Sequence, residues 1–213
     1  MNAHQAFAQL RRLGVSVVTT SDASALLKQS VGAASQTLTR LASAGLVTLV
    51  RHGVWWIKDG MDLLLLPEHL TAPLPSYVSM HTALHHHGMI EQIPEVVYAA
   101  SLARTQRIRS RVGVFSIHHL APEVFGGFEE LANGIKLASP EKALFDFAYL
   151  SGGRSRLFTS LPELMLPARF RTRELLRWIE KIPSARSRTL TKTKLDAFMA
   201  TGARAHQPTL AKR

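Results

Sequence analysis

The chain has 213 residues, 46 % of them hydrophobic and 19 % charged, with a formal net charge of +11. That is enough apolar material for a sizeable core, which excludes general disorder, and the length suits one large domain or two small ones at roughly 100–200 residues each. The absence of cysteine excludes disulfides, thiolate nucleophiles and cysteine-based zinc sites.

Charge is unevenly spread: residues 1–60 carry a balance of +4, residues 61–150 one of −3, and residues 151–213 one of +10. Basic ends favour polyanions, because binding phosphates releases condensed counterions. A merely soluble basic protein has the same balance. Met1-Asn2-Ala3-His4-Gln5 lacks a basic segment followed by an apolar one, so no signal peptide is expected. Apolar runs such as Leu63 to Leu66 and Val96 to Ala100 fall far short of the ~20 residues of a membrane span. The expectation is a cytoplasmic protein with no membrane partner.

The first predicted helix runs from Ala3 to Leu13, with Phe7, Leu10 and Leu13 near one face and Gly14 as its stop. Val15 to Val18 are predicted to be extended. Thr20 or Ser21 is the expected cap of a short helix through Leu26, Leu27 and Gln29, and Gly32 the expected tight turn. A third helix is predicted over Ala33 to Ala44, with Ala34, Leu38 and Leu41 inward and Gly45 ending it. Leu46 to Val50, Arg51-His52-Gly53 and Val54 to Ile57 read as strand, turn, strand. Helix, short helix, turn, helix, hairpin is the order of a winged helix-turn-helix, with Ala44-Gly45-Leu46 joining the third helix directly to the hairpin. That unit is placed at residues 1–58.

A linker is expected over 59–76, where Asp59-Gly60 begins a boundary and Pro67, Pro73 and Pro75 discourage regular structure. A mixed α/β domain with a helical tail then occupies 77–213. Ser79 is the expected cap of a helix to His87, stopped by Gly88. Val96 to Leu102, Val112 to His119 and Ile135 to Ala138 read as strands. Ser139-Pro140-Glu141 is a helix start, and that helix runs to Leu150 before Gly152-Gly153. The tail is basic and helical, with Thr172 as a cap and a last amphipathic stretch holding Leu190, Leu195 and Phe198; residues after Gly202 are expected to fray. The predicted class is therefore α+β: an N-terminal winged helix-turn-helix, a mixed α/β domain and a basic helical C-terminal segment.

The third helix carries the candidate site. With its apolar residues inward, Gln36, Thr39, Arg40 and Ser43 form an outward stripe flanked by Ser35 and Thr37. Gln can bond adenine N6 and N7, and Arg can bond guanine O6 and N7. The small hydroxyl residues permit close approach and can bond phosphates. A plain solvated face would look the same by itself. Arg51 and His52 at the hairpin tip can reach the minor groove or the backbone, and Arg11 and Arg12 can hold flanking phosphates; each is also an ordinary surface charge taken singly. Trp55 and Trp56 alternate across a strand, so one is expected in the core, and an exposed one can cover the second domain.

His81 and His85 are four apart on one helix, a spacing that can share zinc, with His86, His87, His118 and His119 nearby. Position 82 is Thr, however, where a helical zinc-protease motif needs Glu. Packing and surface histidines are the simpler reading. Glu141, Lys142 and Asp146 follow a helix start and lack the Asp-x-Asp pattern that metal-dependent nucleotidyl transfer calls for. Neither a cofactor nor a metal nor a catalytic residue is expected. The basic tail suits a phosphate-contacting surface, a face for an acidic partner, or a solvated face, and the sequence does not separate these.

Two further runs suggest a family. One is Ser-x-x-x-Ala-Leu-x-x-His-Gly, Ser79 to Gly88; the other is Ala-Ser-Pro-Glu-Lys-Ala-Leu, Ala138 to Leu144. With Arg104 to Arg107, His118-His119 and Phe125 to Phe128, they make the second domain resemble that of AbiEi-type antitoxins, one half of a bacterial abortive-infection toxin–antitoxin pair. The resemblance covers roughly residues 1–150. It implies a transcriptional autorepressor whose winged helix binds inverted repeats in double-stranded DNA upstream of its own operon. It also implies that the protein counteracts a nucleotidyltransferase-like toxin without a stable complex. The alternatives are a plain winged-helix regulator with a ligand-binding or dimerisation domain, and a metal-dependent enzyme built on the histidines.

Overall fold

The computed structural model describes residues 3–57, 62–151 and 163–205. Helix α1 (Ala3–Arg12) buries Ala6 and Leu10. Strand β1 (Val17–Thr19) leads directly into α2 (Thr20–Leu27). The cap of α2 is Thr19, one residue before the expected position. Its Oγ1 accepts from the Asp22 amide at 3.1 Å, and the Asp22 carboxylate accepts from the Thr19 amide at 2.9 Å. This reciprocal box satisfies two amides that a helix start otherwise leaves open. The tight turn also falls earlier than expected. It is made by Lys28, in left-handed conformation at φ 52°, while Gly32 lies inside α3 (Val31–Ser43). Ser30 caps α3 by accepting from the Ala33 amide at 3.3 Å.

Strands β2 (Val47–Arg51) and β3 (Val54–Ile57) form a hairpin, and β1 pairs with the far side of β3, giving the antiparallel order β1-β3-β2. Val15 is exposed and precedes the strand predicted to contain it. The first core joins Leu10, Val18, Ala23, Leu38, Leu41 and Trp55. Trp55 Nε1 donates to Thr20 Oγ1 at 2.9 Å.

The stretch expected to be an irregular linker is ordered from residue 62. A 3-10 turn (Leu63–Leu65) is followed by α4 (Leu66–Thr71), with Pro67 in the first turn, where a missing amide costs nothing. The expected boundary at Asp59-Gly60 lies outside the described residues. Strand β4 (Ser76–Val78) then opens a six-stranded mixed sheet of order β6-β7-β5-β4-β9-β8. Its other members are β5 (Val96–Ser101), β6 (Gln106–Arg109), β7 (Val114–His119), β8 (Phe128–Glu130) and β9 (Lys136–Ala138). The short strands β4, β6 and β8 have no alternating apolar pattern and escaped the sequence reading.

One face of this sheet carries α5 (Met80–His86) and α6 (Pro140–Ser151). Beyond α6 lie α7 (Thr172–Glu180) and α8 (Ala185–Ala205). The cap position of α7 is Arg171 rather than Thr172, and its amide donates to buried Glu141 of α6 at 2.7 Å. Helix α8 continues past Gly202 to Ala205, whereas Gly152-Gly153 lie outside the described residues.

The opposite face is shared with the small sheet. Val17, Val54 and Trp56 meet Leu66 and Leu70 of α4 and Val97, Ala99, Phe115 and Ile117 of β5 and β7 in one buried cluster. Trp55 and Trp56 are therefore both buried, one in each of two cores. Trp56 Nε1 finds no acceptor among the described residues, so apolar area and shape hold this junction.

Candidate functional site

Helix α3 buries Ala34, Leu38 and Leu41 at spacings of four and three, so the remaining face must point to solvent. Ser35, Gln36, Thr39 and Arg40 line one open concavity on that face. Thr39 Oγ1 donates to the Ser35 carbonyl at 2.9 Å, and Ser43 Oγ donates to the Thr39 carbonyl at 3.1 Å. Their hydroxyl protons are thus used within the helix, while the oxygens remain able to accept. The side-chain amide of Gln36 has no hydrogen-bond partner among the described residues. It is the least committed polar group on the face.

Thr37 departs from its expected place on a flank. It is 5 % exposed, so it contacts no external ligand directly. Its Oγ1 donates to Gln29 Oε1 at 3.1 Å and accepts from Arg40 Nη2 at 3.4 Å. The buried hydroxyl links the inter-helix turn to the guanidinium of Arg40 and biases its direction. Gln29, expected only near the end of the second helix, supplies the other partner of this hydroxyl. Its role depends on a side chain eight positions further on, which local sequence does not reveal.

The hairpin tip is a two-residue turn, His52-Gly53, with Gly53 at φ 79°, a conformation that favours glycine. The Thr20 amide donates to the Gly53 carbonyl at 2.9 Å, which ties the tip to the start of α2. His52 is exposed and Arg51 half-buried. Arg11 and Arg12 are exposed at the end of α1, and the Arg11 guanidinium lies 6.0 Å from the Phe7 ring centre. These four residues do not line the α3 concavity. Among residues 3–57 there are five Lys or Arg and a single acid, Asp22, whose carboxylate is engaged in its capping box. The field around α3 is therefore positive.

The second domain holds two polar clusters that must be weighed against this face. The first is wholly internal. Lys142 and Asp146 form an ion pair with both side chains at 0 % exposure. Lys142 Nζ also donates to the Val124 carbonyl at 2.7 Å. Asp146 Oδ2 accepts from Tyr77 at 3.0 Å and from Ser79 Oγ at 2.7 Å. Ser79 thus spends its hydroxyl on Asp146 and makes no cap bond to α5. Burial pushes the Asp146 carboxyl up and the Lys142 ammonium down, and each holds the other charged. Gly127 lets β8 approach closely here, since a Cβ there would meet Trp178 at 2.6 Å and Lys142 at 3.0 Å. No member of this network meets solvent, so its evident work is to specify the core. The spacing of Glu141, Lys142 and Asp146 shows none of this burial.

The second cluster contains histidines. The His81 ring lies 5.0 Å from Tyr98 and 4.8 Å from Phe147, and His118 bonds Ser116 at 2.9 Å. His85 and His87 use ring nitrogens on the carbonyls of Ile90 and Ala138, at 3.3 and 2.7 Å. The paired histidines thus have separate partners, and among the described residues no three metal-ligating side chains converge. Thr82, at the position where a zinc-protease motif needs Glu, instead donates to the Val96 carbonyl at 3.2 Å and accepts from the Tyr98 amide at 2.9 Å.

Desolvation lowers both His81 and His118 to about 4. Both rings stay neutral in the folded state, while the unfolded chain takes up protons below about 6.5. Their contribution is therefore complete above pH 6.5 and is lost as pH falls from 6.5 towards 4. The expected loss is roughly 3–5 kcal/mol for the two together, discounted because His81 keeps some solvent contact. Urea unfolding at pH 7 and pH 5 reads this directly; equal midpoints would contradict it.

No protein-family model matches the chain, and no curated protein matches it significantly. Among the described residues, no helix is long and apolar enough to cross a membrane.

Proposed function

We propose that the chain is a sequence-specific double-stranded DNA-binding protein whose N-terminal unit is a winged helix-turn-helix. Helix α3 enters the major groove, and the β2–β3 hairpin acts as the wing. The observation that carries this reading is the exposed, acid-free α3 face of Ser35, Gln36, Thr39 and Arg40, with Arg40 braced from behind by Thr37. In the groove, Gln36 pairs with an adenine edge and Arg40 with guanine O6 and N7. Arg11, Arg12, Arg51 and His52 hold flanking phosphates or the minor groove and set position rather than sequence. The resemblance of Ser79 to Gly88 and Ala138 to Leu144 to AbiEi-type antitoxins extends the proposal. On that extension the chain is a cytoplasmic autorepressor of its own operon and the antitoxin to a nucleotidyltransferase-like toxin, with no catalytic activity of its own.

The test is a titration of the full chain on its own upstream DNA and on scrambled DNA of the same composition, at two salt concentrations. The expected result is a preference for the upstream DNA of at least about a thousandfold, retained at the higher salt. Equal binding to both, falling steeply with salt, would reduce the function to phosphate attraction.

A further inference from the structure

The face of β5 opposite the small sheet borders a second concavity, an open cleft of ≈ 820 Å³ with solvent included. The loop between α5 and β5 forms one wall, through Gln92, Ile93, Pro94 and Glu95; the rings of His81 and Tyr98 form another. We propose that this cleft binds a small flat cation and that β5 carries its occupancy to the DNA-binding unit.

Three observations set the ligand's chemistry. Glu95 makes no ion pair among the described residues, and no Lys or Arg lines the cleft, so the only full charge there is negative. The His81 ring is held neutral by burial and adds no positive charge. Tyr98 offers an aromatic wall, packed beside His81 and His118 with ring centres 5.0 and 6.2 Å from its own. A cation is attracted to such a ring, and a flat apolar body fits beside it. Ile93 adds an apolar rim that is 74 % exposed and gains cover when the cleft fills.

The coupling follows from strand alternation. Val96 and Tyr98 face the cleft, whereas Val97 and Ala99 face the buried cluster with Val54 and Trp56 of the hairpin. A displacement of β5 at Tyr98 is thus one backbone away from the strand that carries the wing. This coupling rests on the proposed DNA-binding function; the cleft itself does not.

The experiment uses the full chain with two probes, benzamidine and tryptamine, and benzoate as a flat anion. Binding is read by NMR shifts at Ile93, Glu95 and Tyr98. Both cations are expected to saturate with Kd on the order of 1 mM, the range open to so few atoms. Benzoate is expected to bind at least about tenfold more weakly, and Glu95→Gln, an exposed change that leaves the fold intact, is expected to weaken the cations by about tenfold. Failure of both cations to saturate, equal binding of benzoate, or cation binding indifferent to Glu95→Gln would each overturn the site. Tryptamine at a few times its wild-type Kd should also change the affinity for upstream DNA several-fold in the wild type and distinctly less in Glu95→Gln. Binding without that change would overturn the coupling and leave the site standing. A chain that binds tryptamine but not DNA would instead refute the DNA-binding function.

Discussion

Replacing Lys142 by methionine is expected to cost about 3–5 kcal/mol of folding stability, because it leaves the Asp146 carboxylate buried without its counter-charge. Methionine preserves most of the buried stem, so the lost volume is small. The Phe145 and Trp178 rings, 4.7 and 4.4 Å from Nζ, keep an apolar neighbour. What remains to Asp146 is Tyr77 and Ser79, two neutral donors. The deficit has a pH signature. Without Lys142 the carboxyl's folded pKa rises further above its unfolded value. The folded variant therefore holds its proton more strongly, and its deficit shrinks towards low pH and grows as pH rises through the folded pKa. Urea midpoints for Lys142→Met at pH 5 and pH 8 read both features. A loss below about 1 kcal/mol, unchanged with pH, would mean that the pair is not desolvated as described. The Lys142→Met/Asp146→Leu double variant should recover much of the loss, since a buried pair and an apolar pair of similar volume often differ little.

The second large effect concerns the α3 face. Gln36→Ala and Arg40→Ala each remove one two-bond base contact, and each is expected to cost about 1–3 kcal/mol of specific affinity. The losses differ in kind. Gln36→Ala relaxes preference at an adenine and leaves the salt dependence unchanged, because the lost group is neutral. Arg40→Ala relaxes preference at a guanine and also removes one positive charge from the interface, which flattens the salt dependence by up to about one counterion. Both side chains are exposed, and the inward contact of Arg40 is one long bond of 3.4 Å to Thr37 Oγ1, which keeps its bond to Gln29, so stability should change by no more than about 1 kcal/mol. Loss of binding together with loss of fold would contradict this assignment.

Much of the first 57 residues was legible because its signals are local. Apolar spacing of three and four placed Ala34, Leu38 and Leu41 inward, and that alone set which α3 residues face out. Boundaries shifted where two residues could serve one role. Thr19, Thr20 and Ser21 are all able to cap, and the choice fell to Thr19 because Asp22 stands three positions on to close the box. The turn went to Lys28 rather than Gly32, because Ser30 was free to cap α3 and drew Gly32 into the helix. Thr37 was misplaced since threonine suits a helix flank and a buried hydroxyl equally; the partner that decides, Gln29, lies on another element.

The second domain was less legible, for reasons of distance. Strand β4 is short and held by distant neighbours, as Tyr77 is by Ala100, while β6 and β8 pair with the next strand in the chain but are too short and polar to show a pattern. Pro67 and Pro73 suggested a linker, yet a proline in the first turn of α4 breaks no bond. Lys142 and Asp146 have the i, i+4 spacing of a surface pair, and nothing local marks them as core. Their burial comes from the 3-10 turn at Val124 and from Gly127, which precede them in the chain, and from Trp178, which follows.

If α3 reads bases, rather than merely meeting phosphates, its two long polar side chains carry the preference between DNA sequences. The most direct measurement is the ratio of affinities for upstream and scrambled DNA, taken at one salt concentration for the wild type and for the Gln36→Ala/Arg40→Ala double variant. The expected ratio collapses by about 30-fold or more in the double variant, while affinity for scrambled DNA changes only a few-fold. A ratio that survives the double substitution would place sequence readout elsewhere and contradict the assignment of α3.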